Sequence, residues 1–340
     1  MKRRTIVGIP RALSYYTFYP LWKVFIEKLG AEVIVSNNTN RKILEDGIRE
    51  TVNDACIPIK VFLGHVQDLI GRADYIFVPR MISADGKATF CPKFLGLPDM
   101  VRYSGISVPA LIDVRYNLYG LPGGLFRFFR SVALALGVKN PVIQAYAAIS
   151  AILVQKRYQR LLLKGLKPVE AFRLISEPGK KPGYEIKSLS LNHAGRNNLV
   201  IALLGYPYAI FDPFISAGIY DKLKDFGVEV ITFEQIPLRH MHRFSKVLPQ
   251  NFFWYYSNQV CWAGLYLLEQ GSVDGIIHIT AFGCGPDAMV DKTLELEAKS
   301  ARVPFMSLSI DEHTGEGGVQ TRLEAFVDML WAKKEKSRAG

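Results

Sequence analysis

Two stretches of this 340-residue chain repeat one pattern at a constant offset, and this repeat limits the possible folds more than any other feature. Gly8 and Gly205 each lie in an apolar run typical of a buried strand, and Gly30 and Gly227 each end a helical pattern. The repeat suggests an internal duplication, which predicts two domains of one topology. The same offset relates Pro10 to Pro207, Ala12 to Ala209, and Glu32-Val33-Ile34 to Glu229-Val230-Ile231.

Strand and helix patterns alternate through both halves of the chain. Because such alternation forms parallel sheets with right-handed crossovers, we expect an α/β fold of two similar domains of Rossmann or flavodoxin type, with a cleft between them. Residues 1–165 and 198–340 are the expected domains, joined by a linker at 166–197 that is rich in Lys, Pro, Gly and Ser and is expected to carry a short helix at 168–175. In the first half, the patterns predict strands at 5–9, 31–36, 75–79 and 110–114, and helices at 19–29, 41–53, 59–70, 121–136 and 141–163. In the second half, they predict strands at 200–204, 228–232, 275–281 and 304–310, and helices at 213–226, 252–269, from about 287, and 318–331.

Charge and hydropathy exclude several classes of protein. The net charge is +11, but the basic residues are scattered and no groove-reading motif accompanies them, so we expect no specific nucleic-acid binding. A docking surface for an acidic protein or for a phosphate-bearing small molecule fits this charge better. No apolar run approaches the roughly 20 residues that span a bilayer, and no secretory signal is visible. We therefore expect a cytoplasmic protein with no membrane association.

The four cysteines are the residues with the most chemistry to offer. In a cytoplasmic chain a disulfide framework is not expected, which leaves inert buried thiols, a reactive thiol or metal ligands. Cys91 and Cys284 follow the third predicted strand of their halves, where ligands of parallel sheets bind. Cys56 stands just before a predicted helix, and a proline follows each of the three cysteines closely. A helix start offers free backbone N–H groups and a dipole that favours a thiolate.

The residues alone leave inert thiols and metal ligands as open alternatives, because the chain has no C-x-x-C pair. Cys261 lies in a helical pattern and has the surroundings of a buried core thiol. Its position roughly mirrors that of Cys56, so a role as a fourth ligand also stays open.

Five further side chains lie close in sequence to the three cysteines. Lys60, His65 and Lys93 are candidates to balance the charge of a metal centre or to donate protons, and a structural role is the alternative. Asp99 and Asp287 each follow a proline in similar loops. Helix capping is the simplest role for both, and a hydrogen bond from a second layer around the cysteines is the other.

Two loops carry weaker signals. Residues 283–288 fit G-x-G-x-x-A after a strand, which keeps a nicotinamide-dependent dehydrogenase as an alternative. The acidic segment 311–318 follows the last strand and is either a metal site or a capping turn. No P-loop motif is present, so we expect no ATP hydrolysis by this chain.

Five groups of motifs are spread over nearly the whole chain. They are Val7-Gly-Ile-Pro-Arg-Ala-Leu13, Ala55-Cys-Ile-Pro-Ile-Lys60 with Gly64-His-Val66, Cys91-Pro-Lys-Phe-Leu-Gly-Leu-Pro-Asp99, Phe282-Gly-Cys-Gly-Pro-Asp287 and Ile310-Asp-Glu-His-Thr-Gly315. Together they resemble the acyl-CoA dehydratase activase-related family, which is related to the iron–sulfur subunits of 2-hydroxyacyl-CoA dehydratases.

This resemblance implies a cofactor and a partner. It implies a 4Fe–4S-type cluster on Cys56, Cys91 and Cys284 in the interdomain cleft, and an ATP-dependent activase of the ASKHA type that donates a low-potential electron. The chain is then an electron-transfer component or a reductase or lyase component acting on an acyl-CoA or another small molecule, as a homodimer or heterodimer. The alternative is a protein that binds CoA or another anionic small molecule and has inert thiols.

Overall fold

The computed structural model describes residues 3–120, 123–177, 198–247 and 250–339 of the chain. Contacts group these residues into two compact units. The first unit comprises the described residues up to Leu162, those from Leu166 to 177, and Phe253–Tyr255. The second unit comprises Leu163–Gly165 and the other described residues from 198 onward. Residues 178–197 of the predicted linker lie outside the described residues, and the predicted domain limits stay a prediction.

The first unit is built on a parallel sheet. Its four strands run in the order β2-β1-β3-β5, and a separate pair, β4 with β6, is also parallel. The elements are β1 (Ile6–Ile9), α1 (Tyr15–Lys28), β2 (Glu32–Val35), α2 (Arg41–Arg49), α3 (Ile57–Leu69), β3 (Tyr75–Phe77), β4 (Arg80–Ser83), α4 (Pro92–Leu95), α5 (Leu97–Arg102), β5 (Ala110–Ile112), β6 (Arg115–Asn117), α6 (Gly124–Ala135), α7 (Pro141–Leu163) and α8 (Pro168–Ser176).

The second unit holds another four-stranded parallel sheet. Its order is β10-β9-β7-β8, and β7 and β9 are buried along their whole length, as expected for the centre of a sheet covered on both faces. The elements are β7 (Val200–Gly205), α9 (Pro207–Phe211), α10 (Ile219–Asp225), β8 (Glu229–Ile231), α11 (Leu238–Met241), α12 (Tyr255–Glu269), β9 (Gly275–Ala281), α13 (Gly285–Ser300), β10 (Phe305–Ile310) and α14 (Glu316–Ala339), with 3-10 turns at Phe233–Gln235 and His242–Lys246.

Both sheets have one strand order. Counted within each sheet, the order is 2-1-3-4, the start of the flavodoxin-like order. Each third strand also begins with the same contact: Asp74 Oδ2 accepts from the backbone N–H of Ile6 at 2.8 Å, and Asp274 Oδ2 accepts from that of Val200 at 2.8 Å. The α/β class with parallel sheets is therefore confirmed. A duplication accounts for the shared order and stays a prediction.

Helix α1 begins four residues before its predicted start, so Pro20 lies inside it rather than in its first turn. A proline inside a helix leaves the carbonyl four residues earlier without its N–H partner. Here that carbonyl belongs to Tyr16, and the hydroxyl of Tyr158 on α7 donates to it. Gln155 Nε2 donates to the next carbonyl, that of Thr17, at 2.8 Å. Helix α7 thus replaces a hydrogen bond that the proline removes, which local sequence rules do not anticipate.

Substituting Tyr158 by Phe tests this replacement. The Tyr158 side chain is fully buried, and the variant removes the hydroxyl that donates to the Tyr16 carbonyl. We expect the free energy of unfolding to fall by about 1–3 kcal/mol. Urea unfolding followed by circular dichroism measures the loss, and Tyr146→Phe, an exposed change on the same helix, is the matched control.

Several other elements differ from the sequence predictions. The predicted helix at 213–226 is only α10, because Asp212 Oδ1 accepts from the backbone N–H groups of Phe214 and Ile215 and forms a turn. Strands β4 and β6 and the short helices α4, α5, α9 and α11 add to the predicted set.

Helix α8 forms where a short helix is predicted within the linker, which confirms that prediction. Its Phe172 ring packs on Tyr15, Tyr19 and Tyr158. Among the described residues, no helix is both long and apolar enough to cross a membrane.

Candidate functional site

Cys56 occupies the N-cap position of α3. Its backbone is extended (φ −66°, ψ 150°) and Pro58 lies in the first turn, so the helix starts immediately after the cysteine. The side chain is 8% exposed. Burial raises the pKa of the Cys56 thiol, against the opposing effects of the Lys93 ammonium and the backbone N–H of Ile59. The thiol is therefore protonated at neutral pH unless a metal ion displaces its proton.

Cys91 repeats this geometry at the start of α4. Its backbone has nearly the same conformation (φ −64°, ψ 158°), and Pro92 follows it. Burial raises the pKa of its thiol too, while the backbone N–H of Phe94 lowers it. The proline after each cysteine explains both helix starts, because proline fits the first helical position and disfavours the helical conformation in the residue before it.

The Cys56 and Cys91 thiols are neighbours within the first unit. The charge of a Cys56 thiolate raises the pKa of Cys91, and the ammonium of Lys93 lowers the pKa of both. Lys93 Nζ also donates to the carbonyl of Asp54 at 3.4 Å, which holds it beside the loop that precedes α3. Two thiols distant in sequence and one cation thus form a cluster.

An ion network fixes the segment that carries Cys91. Arg80 on β4 donates to both carboxylate oxygens of Asp99, at 2.6 and 2.9 Å, and to the carbonyl of Leu95 at 2.9 Å. It also donates to Asp113 at 3.0 Å, and Arg102 contacts the same two carboxylates. Arg80 holds the pKa of Asp99 below its usual range. Asp99 therefore positions α4 and α5 through Arg80, a role that the sequence did not predict.

Replacing Arg80 with Gln should loosen α4. The variant loses the bidentate contact with Asp99 and the hydrogen bond to the carbonyl of Leu95, so the turn that carries Cys91 opens more often. We expect the alkylation rate of Cys91 by iodoacetamide to rise several-fold, with little change at Cys56. Peptide mass spectrometry resolves the two rates. Arg102→Gln, which keeps the Arg80 contacts, is the control, and equal rates in both variants contradict the positioning role.

Lys60 and His65 are buried on α3. His65 Nε2 lies 3.0 Å from Thr39 Oγ1, and burial lowers the pKa of His65 to about 3, so its ring is neutral. Glycines allow α3 to approach α2 closely: a Cβ added at Gly64 would lie 1.8 Å from the carbonyl oxygen of Ile43, and one at Gly47 would lie 1.8 Å from that of Lys60. These residues support the helix that begins at Cys56.

Cys284 lies in the second unit, at the N-cap position of α13, directly after β9. Gly283 before it has φ +74°, a conformation that favours glycine, and Pro286 lies in the first helical turn. The thiol is partly exposed. All three predicted ligands thus begin helices, two of them in the first unit and one in the second.

Behind Cys284, a buried histidine sits between two carboxylates. His278 on β9 has no exposed surface, and its Nδ1 lies 2.6 Å from Asp291 Oδ1. Its Nε2 lies 3.4 Å from Asp287 Oδ1, and this second contact is an ion pair rather than a hydrogen bond. Burial opposes the charge on His278, but the two carboxylates outweigh burial and raise its pKa to about 9. Asp287 therefore contacts His278 from the first turn of α13.

Cys261 has the features of a core thiol. It is fully buried within α12, and burial, together with the negative charge of Glu297, raises the pKa of its thiol to about 12. Its role as a fourth ligand stays a prediction. At the end of β10, Asp311 Oδ1 accepts from the backbone N–H of His313 and from Thr314 Oγ1, which favours the capping interpretation of that acidic segment.

No group of three or more His, Cys, Asp and Glu side chains placed to hold a metal ion occurs within residues 3–120, 123–177, 198–247 and 250–339. The pair that the first unit brings together, Cys56 with Cys91, is smaller than the predicted ligand set. The common metal centre of Cys56, Cys91 and Cys284 therefore stays a prediction.

Two family models match the sequence. Residues 6–236 match the CoA enzyme activase uncharacterised domain (DUF2229), and residues 248–330 match the D-component of 2-hydroxyglutaryl-CoA dehydratase. The first match contains Cys56 and Cys91, and the second contains Cys284. No curated protein matches the chain. Because the first match covers more than half of the 340 residues, the chain belongs to the family of the CoA enzyme activase uncharacterised domain and has a 2-hydroxyacyl-CoA dehydratase-related role.

Proposed function

We propose that this chain holds a 4Fe–4S-type cluster on Cys56, Cys91 and Cys284 and acts as a low-potential electron-transfer or reductase component. The observation that carries the proposal is the pairing of Cys56 with Cys91 beside the Lys93 ammonium, each thiol at the start of a helix. Cys284 has the same position at the start of α13 in the part of the chain that matches the dehydratase component.

The residues around the thiols fit an anionic iron–sulfur group. Helix N-termini present backbone N–H groups that can hydrogen-bond to cluster sulfurs, and such bonds tune the reduction potential. Lys93 adds a positive charge near two of the thiols, which lowers the free energy of a negatively charged cofactor there. Burial of Cys56 keeps water away from its sulfur. A bound cluster supplies a site that accepts and releases single electrons.

The protein's own groups then set the conditions for electron transfer. Arg80 and Asp99 hold α4, and Gly64 lets α3 lie against α2, so the Cys56 and Cys91 sulfurs keep fixed positions. Fixed ligands lower the reorganisation that accompanies a change of charge. Because an ATP-dependent activase partner is implied in this family, we propose that such a partner donates the electron, and that the acceptor is an acyl-CoA or another small molecule.

Thiol protection tests the ligand assignment. The protein is purified anaerobically, reconstituted with iron and sulfide, and alkylated with iodoacetamide, and each cysteine is quantified by mass spectrometry. We expect Cys56, Cys91 and Cys284 to become protected together relative to the same protein treated with a chelator. Cys261, buried in both samples, is the internal control. Protection of none of the three, or of Cys284 alone, contradicts the proposal.

The second candidate is a binding protein for CoA or another anion whose thiols are inert. Burial raises the pKa of Cys56 and of Cys91, which is typical of inert thiols and favours this alternative. Calorimetric titration of CoA into a variant with Cys56, Cys91 and Cys284 all changed to Ala distinguishes the two. Binding as tight as in the unmodified protein supports the second candidate.

A further inference from the structure

Helix α7 exposes several large apolar side chains, while most of the side chains that it buries are small or polar. Val142, Tyr146, Ile149 and Leu153 are 74%, 57%, 60% and 59% exposed. The side that faces the protein consists of Gln144, Ala147, Ala151, Gln155, Tyr158 and Leu162. A surface helix normally has the opposite arrangement, with its apolar stripe against the core. The exposed stripe therefore needs a reason outside the packing of this unit.

The spacing of the exposed residues has the pattern of a helix–helix contact. We call the four exposed residues Val142, Tyr146, Ile149 and Leu153 the α7 seam. They follow one another at intervals of four, three and four residues. This is the a/d pattern of residues that insert between the side chains of a second helix. The neighbouring positions Ala145, Ala148 and Ser150 are small, which leaves holes for the side chains of a partner helix.

The charges around the α7 seam select the kind of partner. Lys156, Arg157 and Arg160 are exposed in the last two turns of α7, and the helix contains no Asp or Glu. Lys28 Nζ lies 5.4 Å from the centre of the Tyr146 ring and adds a further cation beside the seam. Acidic side chains on a partner would meet these cations, whereas basic ones would be repelled.

A second copy of the chain fits these charges poorly. An antiparallel pairing that matches the α7 seam with itself sets Lys156 of one copy beside Lys139 of the other, and a parallel pairing sets each cation beside its equal. A bilayer surface fits the shape poorly, because a membrane-bound helix carries Lys and Arg along its polar side, and here that side is packed against the protein.

We propose that the α7 seam is a docking site for an acidic amphipathic helix of a partner protein. The partner helix places apolar side chains at its own a and d positions between those of the seam. Its flanking Asp and Glu residues face Lys156, Arg157 and Arg160. The binding weakens as salt is added, because the charged flanks are exposed to solvent.

Binding of designed peptides to the full chain tests this proposal. The probe is a four-heptad helical peptide with Leu at the a and d positions and Glu at the e and g positions, and its matched counterpart has Lys in place of Glu. By calorimetry we expect saturable binding of the acidic peptide and at least tenfold weaker binding of the basic one. Changing both Ile149 and Leu153 to Ser should weaken the affinity for the acidic peptide at least tenfold. Met329 is an exposed apolar residue on α14, and Met329→Ser should leave that affinity unchanged.

Other outcomes overturn the proposal. Equal binding of both peptides, no loss in the Ile149 and Leu153 variant, or no binding to either peptide removes the acidic helix as the partner. If the chain sediments as a dimer and Ile149→Ser dissociates it, the α7 seam binds a second copy instead. Binding to phosphatidylserine vesicles that the same change abolishes assigns the seam to a membrane surface. Circular dichroism of each variant shows that the fold is kept.

Discussion

A protein with Gly64 changed to Ala should lose about 3 kcal/mol or more of its free energy of unfolding, at the upper end of the range for overpacked cores. The added Cβ would lie 1.8 Å from the carbonyl oxygen of Ile43 and 2.7 Å from its carbon. The neighbour is backbone of α2 rather than the end of a flexible side chain, so the two helices must separate. Because α3 begins at Cys56, the separation also displaces that thiol from Cys91.

Two readouts measure this effect. Urea unfolding gives the loss of stability, and the alkylation rate of Cys56 in the folded protein reports the displacement of α3. The matched control is Gly318→Ala on α14, where an added Cβ meets no atom within 4 Å and the backbone is not left-handed. That variant should be neutral or slightly more stable, since Ala favours helix over Gly. Equal stability of the Gly64 variant and the unmodified protein contradicts the close crossing of α2 and α3.

A second large loss is expected when His278 is changed to Asn. His278, fully buried and charged, balances the carboxylates of Asp287 and Asp291, and its ring also stacks on Phe305. Asn carries no charge, so the variant leaves Asp287 buried without its counter-ion. Breaking a buried ion pair in this way costs about 3–5 kcal/mol. We expect the free energy of unfolding at pH 7, measured with urea, to fall by that amount. The control His313→Asn changes an exposed histidine and should leave the free energy of unfolding unchanged.

The dependence on pH follows from the pKa of His278, which is raised to about 9 in the folded protein. An unfolded histidine has a pKa of about 6.5, so the folded state binds its proton more tightly. The stability that His278 contributes is fully present below about pH 6.5 and is lost as the pH rises through 9. The carboxylates of Asp287 and Asp291 both face the ring. The unmodified protein should therefore lose stability between pH 6.5 and 9, and the His278 variant should show a flatter profile.

Regular patterns were the most predictable part of the fold. The limits of α7 and β9 agree with the sequence predictions to the residue, since Pro141 and Gly275 mark their starts and a mainly apolar run follows each. Cys56 and Cys284 each precede a predicted helix, whereas the helix after Cys91 was not predicted. Proline follows each of the three cysteines closely and explains where these helices begin. These features depend on local backbone preferences, which a single sequence reports directly.

Features that depend on distant contacts could not be predicted in the same way. Helix α1 begins at Tyr15, before Pro20, and the Tyr158 hydroxyl supplies a hydrogen bond that Pro20 removes. Tyr158 lies far along the chain, so the sequence around α1 gives no sign of this contact. His278 and Asp291 were not among the predicted site residues, although a histidine inside an otherwise apolar buried strand is a signal that a charged partner lies nearby. Its partners, Asp287 and Asp291, are four residues apart and so lie on one face of α13.

The exposed face of α7 illustrates a further limit. Its apolar residues alone suggest a helix buried on that side, yet the unit covers the opposite side with Gln144, Gln155 and two alanines. The choice between the two sides depends on Pro20, whose neighbouring carbonyls require the polar groups of Gln155 and Tyr158. The hydrogen bonds at Pro20 thus favour the burial of the side of α7 that carries Gln155 and Tyr158.

The cluster proposed on Cys56, Cys91 and Cys284 can be tested by counting iron and acid-labile sulfide per chain in anaerobically reconstituted protein. We expect the unmodified protein and Cys261→Ala to bind about four of each, as a 4Fe–4S-type cluster requires. Cys56→Ala, Cys91→Ala and Cys284→Ala should each lose most of both. A protein that binds neither iron nor sulfide, or three cysteine variants that bind as much as the unmodified chain, would contradict the account.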